Sequence, residues 1–70
     1  MSNNRDVVNH LVEMFQKFTT YSDNRITKND FKEFEKYSIG YIKKELAITK
    51  EAAQQDFSWF TNKLNVVIVD

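Results

Sequence analysis

Seventy residues make one small domain, with ten Lys and Arg balanced by ten Asp and Glu. The absence of cysteine excludes disulfides and thiolate metal sites. Balanced charge argues against a nucleic-acid binder, which needs a basic face to displace phosphate counterions, and no apolar run approaches the ~20 residues of a membrane span.

Six Phe, three Tyr and one Trp, against one Gly and no Pro, favour helices over a hairpin-rich β fold. A chain this short buries only about 60% of its unfolded surface, so a partner is the expected supplement to a thin core. The start, Met1-Ser2-Asn3-Asn4-Arg5-Asp6, carries no apolar signal core, and Ser2 stands where a myristoylated glycine would be. A cytoplasmic protein is the expectation.

Along the chain, Val7, Val8, Leu11, Met14, Phe15 and Phe18 fall at helical spacing and predict a first helix over 5–18, capped by Asn3 or Asn4. Thr19 to Ile26 is polar and turn-prone, and Asp23-Asn24 tolerates the left-handed backbone of a tight turn. Thr27 with Asp30 three residues on forms a capping-box-like start to a second helix that carries Phe31, Phe34 and Tyr37. Gly40 is either the end of that helix or a weak point within it, since Tyr41, Ile42 and Leu46 continue the apolar face. Thr49 caps a third helix, in which Ala53, Phe57, Phe60 and Leu64 share a face. The β-branched NVVIV at the end suits a brief strand.

Two stretches repeat at a period of 42 residues: F-x-x-F-T-x(6)-I at Phe15, Phe18, Thr19 and Ile26, and again at Phe57, Phe60, Thr61 and Ile68. With this pattern the chain resembles the calmodulin superfamily. In such a frame Phe15 and Phe18 close the entering helix, the loop runs from Thr19 to Asp30 with Ile26 at position eight, and Phe31 opens the exiting helix. The resemblance implies an all-α fold: a single EF-hand-like lobe spanning residues 1–70, with three to four helices and a short two-stranded β pairing between the degenerate loops. EF-hand one covers about 5–40, and a truncated EF-hand two about 49–70. The paired strands would be Arg25-Ile26-Thr27 and Val67-Ile68-Val69. About six residues are extra relative to the family spacing, and a second frame treats Tyr41–Leu46 and Thr49–Leu64 as helices three and four.

Calcium needs oxygen ligands at loop positions 1, 3, 5, 7, 9 and 12, with Gly at 6 and a bidentate Glu at 12. The first loop offers Thr19, Tyr21, Asp23, the Arg25 carbonyl, Thr27 and Asp30. Of these only Asp23 and Asp30 are carboxylates, and Asn24 replaces the Gly. The second loop places Lys63 at a ligand position. No calcium binding and no cofactor are expected, and Asp23 and Asp30 read as a turn residue and a helix-start charge.

Calcium-free lobes of the superfamily include the single-lobe light chains of class I myosins, which this chain resembles in length. The resemblance implies a calcium-independent light chain that binds IQ-type helices in the neck of an unconventional myosin heavy chain, with actin–myosin structures at the cell cortex. The mode is helix-in-groove. The candidate groove residues are Met14, Phe15, Phe18, Phe31, Phe34, Phe57, Trp59 and Phe60, each of which also reads as ordinary core. Trp59 stands apart because it lies off the Ala53-Phe57-Phe60 face. His10 has no nucleophile constellation around it, so no enzyme is expected, and Lys43-Lys44 reads as a solvated face. The alternatives are a small regulatory or inhibitor protein that docks on an enzyme through a hydrophobic groove, and a weak calcium sensor.

Overall fold

A computed structural model of the protein describes residues 4–69. The first helix, α1 (Asn4–Phe18), buries Val7, Leu11 and Phe15, one turn apart on a single stripe, with Val8, Val12, Met14 and Phe18 partly buried beside them. Asp6 in its first turn and Lys17 in its last complement the helix dipole. The Asn3 cap lies outside the described residues.

The chain then turns through Asp23 and Asn24, both left-handed at φ 60°, into β1 (Arg25–Thr27). Asn and Asp accept this backbone because their short polar side chains bond locally. Thr27 is both the last strand residue and the N-cap of α2 (Lys28–Leu46), its hydroxyl accepting from the Asp30 N–H at 3.1 Å. The capping-box reading of Thr27 and Asp30 therefore locates this helix start. Thr49 repeats the device for α3 (Lys50–Leu64) by accepting from the Ala52 N–H at 3.1 Å.

Gly40 does not end α2. The helix continues unbroken to Leu46 and stops at Ala47, which takes the left-handed conformation at φ 53° while the Ile48 N–H bonds the Lys43 carbonyl. The frame with a separate helix over Tyr41–Leu46 is thereby corrected: α2 ends at the left-handed Ala47, not at Gly40. Helix α3 ends with Asn65 left-handed and the Val66 N–H on the Thr61 carbonyl, which satisfies carbonyls the last turn would otherwise orphan. The described residues contain three α-helices.

The tail forms β2 (Val67–Val69), which pairs with β1 in the register Arg25–Val67, Ile26–Ile68 and Thr27–Val69. The two isoleucines anticipated as partners are partners, and the strands run parallel. A parallel pair requires a long crossover, here supplied by α2 and α3. Two equivalent helix–loop–helix halves facing across a two-fold axis normal to their loops would bring those loops together antiparallel. The parallel sense, with Ile26 fully buried and Ile68 49% exposed, shows that the halves are not related in that way.

Helix α2 is central and packs against both α1 and α3. Its Phe34 is the hub of the core, fully buried and ringed by Phe15 (5.4 Å between centroids, edge-to-face), Phe18 (5.6 Å), Phe57 (5.6 Å) and Phe60 (6.3 Å). Offset and edge-on aromatic pairs of this kind contribute roughly 0.5–1.5 kcal/mol beyond their burial. One turn along, Ser38 is also fully buried, and its hydroxyl has no hydrogen-bond partner. The buried column of α2 is thus Phe34, Ser38 and Ile42.

Candidate helix-binding groove

Because α2 holds α1 and α3 on either side, the first half of α1 and the middle of α3 leave a trough between them. It measures about 540 Å³. Val7, Val8 and Leu11 of α1 form one wall, Ile42 and Leu46 of α2 the floor, and Trp59 and Phe60 of α3 the other wall. The polar lining is Arg5 and Asn9 from α1 and Asp56 from α3. An apolar trough with a few polar groups at its rim is the usual make-up of a binding cleft.

Local sequence explains each wall. The α1 stripe is wide, since Val8 stands next to Val7, so one valine faces the core while its neighbour remains partly exposed. On α3, Phe60 is buried, whereas the adjacent Trp59 is 56% exposed, its ring lying beneath the Lys63 ammonium at 5.8 Å. Trp59 is the largest apolar side chain left half open to solvent, and it borders the trough.

The structure divides the eight residues expected to line a groove. Trp59 and Phe60 do so. Phe15, Phe34 and Phe57 are buried in the core and do not reach the trough, because they converge from three helices on one centre. Met14, Phe18 and Phe31 pack, partly buried, against that same centre. Sequence reasoning missed Val7, Val8, Leu11, Ile42 and Leu46. Their signal was present as the apolar faces of the first two helices, but it did not say that these faces would meet Trp59 and Phe60 of α3 in a trough.

The loop residues play local roles. The Thr19 hydroxyl donates to the Arg25 carbonyl and accepts from the Tyr21 N–H at 3.1 Å. In the twelve-residue frame these are positions one and seven, so two groups that would face a cation bond each other instead. Asp23 is an exposed turn residue, and Asp30 sits in the first turn of α2. Among the described residues, no three His, Cys, Asp or Glu side chains gather as a metal site. The donor set does not fit calcium, which requires six to eight oxygens with several carboxylates.

On the far side of α1, His10 stacks on Tyr41 at 4.3 Å and shares a 2.5 Å hydrogen bond with the Tyr37 hydroxyl. Tyr37 and Tyr41 lie nearly parallel, with centroids 6.1 Å apart. Burial pushes the Tyr41 phenol above its ordinary range, and the negative charges of Glu45 and Asp6 and the Tyr37 hydroxyl add to the shift. This cluster staples α1 to α2.

No helix is long and apolar enough to cross a membrane among the described residues. No family model, curated protein or solved structure matches this chain.

Proposed function

We propose that this chain is a structural subunit that grips an amphipathic helix of another protein in the α1–α3 trough without calcium. The observation that carries the reading is the trough itself, floored by Ile42 and Leu46 and bordered by the half-exposed Trp59. A helix presenting apolar residues at i, i+3/i+4 and i+7 supplies the apolar face such a trough lacks. Tryptophan at the edge of a concave apolar surface is a frequent hot spot of binding energy. Independence from calcium is supported by the first loop, which closes on its own Thr19 hydroxyl.

The finer reading is a light chain of EF-hand type that binds IQ-type helices in the neck of a class I myosin heavy chain, at the cell cortex. It is supported by the F-x-x-F-T-x(6)-I repeat, while the parallel sense of the Ile26–Ile68 pairing departs from a two-fold pair of helix–loop–helix halves. The rim carries one charge of each sign, Arg5 and Asp56, which suits a target of mixed charge better than a strongly basic one.

Trp59 is the single tryptophan, so it reports directly on the trough. The test is to titrate a tryptophan-free IQ-type peptide while recording Trp59 emission, in chelator and in excess calcium. Saturable binding with a blue shift of equal midpoint in both conditions is the expected result. Absence of binding, or binding only with calcium, would overturn the reading.

A further inference from the structure

A second groove, of about 480 Å³, runs along the seam between α2 and α3 and has the opposite chemistry. Lys32, Lys36 and Lys43 project from one stripe of α2, spaced i, i+4 and i+11, and Lys50 joins them from the start of α3. All four are exposed, and among the described residues none is engaged in an ion pair. Glu35 is the carboxylate in the lining, against four ammonium groups. In a chain of zero net charge, four of the ten basic side chains thus gather on one seam. Like charges one turn apart on a helix repel.

Gly40 provides a second, independent observation. It lies in this groove, exposed, midway along α2, where glycine weakens a helix. A Cβ added there would meet nothing within 4 Å, so no neighbour inside the chain requires the glycine. The bare backbone at Gly40 leaves the middle of the lysine stripe flat and open from outside.

We propose that the α2–α3 seam is a docking site for an acidic polypeptide segment, its carboxylates paired with Lys32, Lys36, Lys43 and Lys50 and its backbone lying over Gly40. The chemistry favours a peptide over the other polyanions. No aromatic ring lines the groove to stack a nucleobase. The exposed Trp59 that would anchor a membrane lines the other groove. The proposal does not depend on the helix-binding reading of the apolar trough.

The test uses the full chain, labelled with ¹⁵N, and a synthetic peptide of eight alternating Asp and Glu residues. The expected result is amide shifts confined to the neighbourhood of Lys32, Lys36, Gly40, Lys43 and Lys50, abolished by high salt. The double variant Lys36→Glu/Lys43→Glu should weaken binding by about tenfold or more, whereas Lys17→Glu/Lys63→Glu, away from the groove, should leave it within about twofold. Gly40→Gln, whose side chain enters open space, should weaken binding with the helical circular dichroism retained, and it carries the test should the charge reversal prevent folding. Shifts spread equally over Lys17 and Lys63, or tighter binding to phosphatidylserine vesicles or to a single-stranded RNA oligomer than to the peptide, would overturn the proposal.

Discussion

The side-chain amide of Asn24 donates to the Leu64 carbonyl at 2.6 Å, while the Asn24 carbonyl accepts from the Val67 N–H at 2.9 Å. One loop residue thereby holds both the last turn of α3 and the first residue of β2. Leu64 lies in the turn whose carbonyls have no partner within the helix. Asn24 is also left-handed, at φ 60°. Asn24→Ala removes the hydrogen bond and places a Cβ in a disfavoured conformation, a combined cost of roughly 1.5–3 kcal/mol. Asn24→Gly keeps the conformation and should cost only about 1 kcal/mol. Urea denaturation of both variants checks the difference, and equal stabilities would contradict this account of the loop.

Ser38 presents the reverse case, a buried hydroxyl without a partner. Replacing it with Ala removes an unsatisfied polar group and improves helix propensity, so Ser38→Ala should be neutral or stabilising by about 0.5–1 kcal/mol. A loss greater than about 1 kcal/mol would mean that the hydroxyl makes a bond in solution, for instance to a buried water.

Gly40 and Ala47 each occupy a position better suited to the other residue. Gly40 is helical with open space around it, and Ala47 is left-handed at φ 53°. Gly40→Ala and Ala47→Gly should each stabilise the fold by about 0.5–1 kcal/mol. Their effects should add, since the two sites share no partner. Thermal melts of the two single variants and the pair check both the sign and the additivity.

Tyr41 links stability to alkaline pH. Its folded-state pKa is raised, first by burial and then by Glu45, Tyr37 and Asp6. Below the ordinary tyrosine value near 10 both states hold the proton, and stability is unaffected. Above it the unfolded chain loses the proton first, so stability falls as pH rises through the folded value. Tyr41→Phe should therefore leave the pH dependence unchanged near neutrality and reduce the loss above about pH 10. Stability measured from pH 7 to 11 for both proteins gives the comparison, and identical alkaline limbs would contradict it.

Local chemistry made much of the fold legible in the sequence. Thr27 and Thr49 mark helix starts because their hydroxyls accept from N–H groups three residues on, whereas the partnership of Ile26 and Ile68 is only an implication of the EF-hand resemblance. The direction of that pairing was not legible, because strand sense depends on how the intervening chain crosses over. Nor was the continuity of α2 through Gly40, where the apolar face on both sides overrides a weak propensity. The aromatic residues were legible as apolar but not as core or groove. Phe34 draws Phe15, Phe18, Phe57 and Phe60 to one centre, whereas the trough is built largely of aliphatic residues, with Trp59 at its border. That partition follows from how α1 and α3 both pack on α2, a long-range relationship that no local pattern carries.

The most direct test of the helix-binding claim is to map amide and methyl shifts of the labelled protein on adding a tryptophan-free IQ-type helical peptide in chelator. The account predicts perturbations concentrated on Val7, Val8, Leu11, Ile42, Leu46, Trp59 and Phe60, with the first loop from Thr19 to Asp30 unmoved. Perturbations centred on that loop or on the outer faces of the helices, or none at saturating peptide, would contradict it.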